Sequence, residues 1–112
     1  MSYTLTVRHG PSVRREGFDA LDDALAALER HADEVRAEGP LGSVSAFREY
    51  GADRRVAARL QLSVGGWLRG REAGIDVMGD GTLVPYTGAI RRRPLDLGAG
   101  QSPFDAVRVA LR

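Results

Sequence analysis

Cysteine is absent from this 112-residue chain. That excludes disulfides and thiolate metal sites, and it allows a reducing compartment. Lysine is absent as well, so all sixteen basic residues are Arg. Arg is a fixed planar cation suited to bidentate contacts. A GC-rich coding bias accounts for such a replacement, so the number of arginines says little about phosphate binding. Neither sign of charge dominates, and the formal net charge is +1. No apolar run reaches the roughly 20 residues of a membrane-spanning helix. The opening residues, MSYTLTVRHG, lack the apolar core of a signal peptide. These absences point to a cytoplasmic location. No internal repeat and no low-complexity segment is present. The length fits one domain, residues 1–112, able to bury a core without staples.

The most informative stretch is 56–83. Val56, Ala58, Leu60, Leu62 and Val64 alternate with Ala57, Arg59, Gln61 and Ser63, the period of a half-buried strand. Gly65 and Gly66 follow and suit a two-residue hairpin turn. That turn sets Val64 opposite Trp67, Ala58 opposite Ala73 and Val56 opposite Ile75. On the other face it sets Arg59 opposite Glu72 and Arg55 opposite Asp76. A second hairpin at Asp80 and Gly81 sets Val77 against Val84 and Ile75 against Tyr86. Pro85 has no amide to donate, so this third strand of the meander should lie at an edge or have its Pro nitrogen facing away from a neighbour.

Around the meander, Tyr3, Leu5 and Val7 predict a first strand ending at His9, Gly10 and Pro11. Residues 14–17 read as a connection or a short continuation of strand. Phe18, Leu21, Leu25, Leu28, Ala32 and Val35 form a helical stripe over 19–38, with Asp19 as the N-cap. Gly39 and Pro40 stop that helix. A weaker strand is expected at 44–50. Ser102, Pro103 and Asp105 open a short terminal helix whose inward stripe is Phe104, Val107 and Leu111. The expected architecture is a two-layer α+β sandwich, order β-α-β-β-β-β-α. It has a mainly antiparallel sheet, with the long helix and the short C-terminal helix on one face.

No catalytic signature assembles. His9 and His31 are the only histidines. His31 flanks the apolar stripe of the long helix and reads as structural. His9 ends a strand, a place from which active-site groups project, but it has no sequence partner for a dyad. Asp76 and Asp80 lack the alternate-position spacing of a calcium loop. The segment holding Gly65, Gly66, Trp67 and Gly70 joins strand to strand, whereas phosphate loops lead into a helix. No cofactor and no metal ligand set is therefore expected.

Charge is segregated. Residues 19–38 carry Asp19, Asp22, Asp23, Glu29, Asp33, Glu34 and Glu38 against Arg30 and Arg36, a net of −5, and the remainder carries +6. The expected function is non-catalytic protein binding, with another protein or a second copy as partner. The open sheet face would serve, with Phe47, Leu68, Met78 and Leu83 as its apolar patch and Arg55 and Arg59 on its rim. The alternative is an RNA- or DNA-binding domain using Trp67, Arg69, Arg71, Arg91, Arg92 and Arg93. A small enzyme ranks third.

Overall fold

The computed structural model describes residues 2–38, 56–65, 71–88 and 92–111. Its first unit is a hairpin. Strand β1 (Tyr3–His9) turns through Gly10 and Pro11 into β2 (Ser12–Phe18), with His9 opposite Ser12. Gly10 takes φ +59°, the conformation a two-residue turn demands at its first central position. Residues 14–17, read as a connection or a short continuation of strand, are strand, and they belong to a full seven-residue element.

Helix α1 (Leu21–Ala37) follows, with Ala20 rather than Asp19 at the N-cap and no side-chain cap hydrogen bond. Asp22 and Asp23 lie in the first turn, where the helix dipole favours acids. Strands β3 (Val56–Val64), β4 (Arg71–Met78), β5 (Leu83–Thr87) and β6 (Arg93–Pro94) come next, and helix α2 (Pro103–Leu111) closes the chain. Ser102 and Asp105 form a reciprocal cap: each side-chain oxygen accepts from the other's backbone N–H at 3.1 Å. The strand expected at 44–50 lies outside the described residues.

The six strands form an antiparallel sheet in the order β2-β1-β3-β4-β5-β6. Both helices pack on one side. The core joins Leu5, Leu60, Leu62, Ile75 and Val77 from the sheet with Leu25 and Leu28 from α1 and Val107 and Leu111 from α2. Arg108 reaches Asp22 at 2.6 Å and links the two helices. The α+β two-layer expectation holds, with β2 as an added edge strand and with β6 beyond β5, so the strand of Pro85 is not the edge of the sheet.

Two registers differ from those the turns suggested. Between β3 and β4, Val64 faces Arg71 and Arg59 faces Asp76. The connection therefore runs from Gly65 to Gly70 instead of two residues, and the pairing slides by four. An even slide keeps every side chain on its expected face. Between β4 and β5, Met78 pairs its N–H with the Thr82 carbonyl at 2.8 Å, and Gly81 donates to Met78 at 2.9 Å. The turn thus holds Gly79, Asp80 and Gly81, with Gly81 at φ +90°. One extra turn residue slides the register by one and flips β5. Leu83 and Pro85 face Val77 and Ile75, while Val84 and Tyr86 turn to the opposite side. A third deviation is the bulge between Val56 and Ala58. It leaves Val56, expected inward, 41% exposed, while Ala57 packs on the core.

Candidate functional site: the sheet face opposite α1 and α2

On the side away from the helices, three rows of side chains cross the sheet. One row runs Arg8, Arg59, Asp76 and Val84. The next runs Thr6, Gln61, Gly74, Tyr86 and Pro94. The third contains Thr4, Ser63 and Glu72. Gly74 is the organising position. A Cβ added there would fall on the Leu60 carbonyl oxygen and lie 2.8 Å from the Tyr86 hydroxyl. The absence of a side chain on β4 lets the phenol of β5 reach across, as aromatic residues do over strand glycines.

Tyr86 is 2% exposed, and its hydroxyl has no hydrogen-bond partner among the described residues. Burial, with Asp76 as a lesser contributor, pushes its phenol up to about 12. Two guanidinium groups attend the ring, Arg59 at 5.9 Å and Arg92 at 5.7 Å from its centroid. Arg59 is held in turn by a bidentate pair with Asp76, Nε to Oδ1 at 2.8 Å and Nη2 to Oδ2 at 3.1 Å. These hydrogen bonds raise the Arg59 pKa, and burial opposes them. Gln61 donates to Glu72 at 2.6 Å beside the cluster.

Of the residues expected to form the apolar patch, Met78 is half-buried on β4, opposite Val56. It helps line a cleft of about 170 Å³ between the end of α1 and the β4–β5 turn, with Val35, Arg36 and Asp80. Leu83 packs against the core on the helix side, because the three-residue turn reverses β5. The expected pairing of Met78 and Leu83 across the hairpin on the open face therefore does not form. Phe47, Leu68 and Arg55 lie outside the described residues, as do Trp67, Arg69 and Arg91. Among the remaining candidates for phosphate contacts, Arg92 joins the Tyr86 cluster. Arg71 faces Val64 and Arg93 faces Thr87, positions belonging by alternation to the helix side.

Sequence reading missed Tyr86, which the assumed two-residue turn had placed inward. Two signals pointed the other way. Gly74 interrupts an apolar strand, a mark of close approach. Gly79, Asp80 and Gly81 suit a three-residue loop with glycine at its last position.

The histidines lie elsewhere. His31 is 7% exposed on α1, with Nε2 3.2 Å from Glu16 and Nδ1 3.5 Å from Glu34. It ties β2 to the helix. His9 meets Glu38 at 3.4 Å at the far end of β1. Among the described residues no group of three or more His or carboxylate side chains is placed to hold a metal ion. No described helix is long and apolar enough to cross a membrane. No protein-family model, no curated protein and no solved structure matches the chain.

Proposed function

We propose that the chain is a non-catalytic protein-binding domain whose sheet face opposite α1 and α2 engages a partner presenting acidic side chains. The observation that carries this reading is the arginine–tyrosine cluster of Arg59, Tyr86 and Arg92. Arg is enriched at binding hot spots, and the buried Tyr86 ring helps to hold both guanidinium groups in place. Arg59 is already fixed by Asp76, so little rotamer freedom is lost when a partner docks. Arg8 and Arg15, both exposed, extend the cationic character along the same face.

The excess of Arg on this face also favours a second reading, the binding of nucleic acid through phosphates. The two readings differ in salt dependence and in probe. A double variant, Arg8→Glu with Arg92→Glu, alters two exposed side chains and leaves the core untouched. Affinity capture from the source cells with wild type should retain a partner that this variant loses. An Arg30→Glu control on α1 should keep it. Equal capture by wild type and the double variant would sink the proposal. A gel shift with RNA or DNA that weakens steeply with salt would transfer the face to the second reading.

A further inference from the structure

The two edges of the sheet differ. β6 is two residues long and contains Pro94, the kind of blunted edge that resists strand addition. β2 keeps unbroken register with β1 over seven residues, without proline or bulge. Residues 12–17 are all exposed. Among the described residues no strand lies along the outer side of β2.

Hydrogen-bond parity tells which groups point outward. The Gly65 N–H donates to the Ser2 carbonyl at 3.4 Å at the end of the β1–β3 ladder. Even-numbered residues of β1 therefore exchange hydrogen bonds with β3, and odd-numbered ones with β2. The β2 partners of those odd-numbered residues are Ser12, Arg14, Glu16 and Phe18. Among the described residues, the N–H and C=O groups of Val13, Arg15 and Gly17 face an outer edge with no paired strand.

We propose that a second copy of this chain adds to this edge, β2 against β2 and antiparallel, about a two-fold axis normal to the sheet at Arg15. This does not depend on the binding role of the open face. In this register Arg14 of each copy faces Glu16 of the other. Both contacts are non-hydrogen-bonded pairs, where side chains approach most closely. Val13, 47% exposed, falls beside Gly17 of the second copy. A Cβ at Gly17 would meet nothing within 4 Å, so the valine side chain occupies open space there. The outward groups of Val13, Arg15 and Gly17 all find partners. Adjacent two-fold registers lose this match, since they set Arg14 against Arg14 or Glu16 against Glu16. One repulsive contact remains, Arg15 against Arg15, and both side chains are exposed and free to diverge into water. Like the commonest soluble dimers, the contact is isologous.

Edge pairing of one strand buries less than a standard interface, so the dimer should be weak, and sedimentation equilibrium from about 10 µM to about 1 mM should reveal it. Arg14→Glu alone, or Glu16→Arg alone, places like charges at both contacts and should weaken the dimer about tenfold or more. Mixing these two variants in equal amounts should restore it, because each β2 then meets its charge complement. Glu16 also contacts His31 and Arg30. If Glu16→Arg fails to fold by circular dichroism, Arg15→Pro takes its place, removing an outward N–H without touching the β1–β2 ladder; it should abolish the dimer. A monomer throughout the concentration range would overturn the proposal. So would a dimer indifferent to every β2 variant, or one lost instead with Arg8→Glu and Arg92→Glu, which would seat the second copy on the open face.

Discussion

Gly74 and Tyr86 make a single unit, and each makes a prediction. Gly74→Ala forces a methyl group onto the Leu60 carbonyl and against the Tyr86 hydroxyl. The obstacle is backbone, so relaxation requires parting β3 from β4. A loss on the order of 3 kcal/mol is expected in denaturant melts, the scale of severe overpacking. Tyr86→Phe should behave in the opposite way. It deletes a buried hydroxyl that has no partner among the described residues, so stability should stay level or rise by up to about 1 kcal/mol. The phenol gives a pH signature as well. Its folded value of about 12 lies above the ordinary 10.0. The folded state therefore holds the proton more tightly than the unfolded chain does. The associated stability is whole below pH 10.0 and is lost as pH rises through about 12. An ultraviolet titration should find one tyrosine ionising late, and Tyr86→Phe should remove that step.

At the scale of elements, α1 depends on its inward stripe. Leu28 is fully buried beneath it, and Leu28→Ala should cost about 2–5 kcal/mol, measured by chemical denaturation. This helix was legible because seven buried positions repeat at helical spacing along 24–35. The terminal helix was legible from Ser102, Pro103 and Asp105, whose cap forms as the spacing implied. The strands were legible as strands, because alternation is local. Their pairing was not, because it depends on how many residues each turn consumes. The β3–β4 pairing slid by four, so the inward set of β4 survived while the partners changed, Ala58 meeting Val77 in place of Ala73 and Arg59 meeting Asp76 in place of Glu72. The second slid by one, so the faces of β5 exchanged and the outward patch of Met78 and Leu83 dissolved. Both Gly65 and Gly81 have positive φ, so glycine marked each turn without fixing its length. Nothing local to β2 announced a strand either. Its residues 12–17 are exposed on both faces, and no burial imposes an alternation on such a sequence.

For the molecule as a whole, one core runs beneath both helices and touches five of the six strands. Calorimetry should therefore show a single transition, with an enthalpy on the order of 80 kcal/mol at the midpoint. The near-ultraviolet signal of buried Tyr86 should report the same midpoint as far-ultraviolet dichroism. Separated transitions would mean that the chain contains more than one cooperative unit. Strand order carries a consequence for synthesis on the ribosome. β1 lies inside the sheet between β2 and β3, and Thr4 pairs with Ser63. The amino-terminal hairpin and α1 leave the exit tunnel with Leu5, Val7 and Leu28 ready to pack, but β3 and β4 are still unmade. The nascent chain must carry that apolar surface uncovered until the strand ending at Val64 has cleared the tunnel. Only then does the long-range pairing repay the entropy of closing so wide a loop. A released fragment ending near residue 38 should be degraded quickly by added protease, and protection should appear only in fragments that extend past β4.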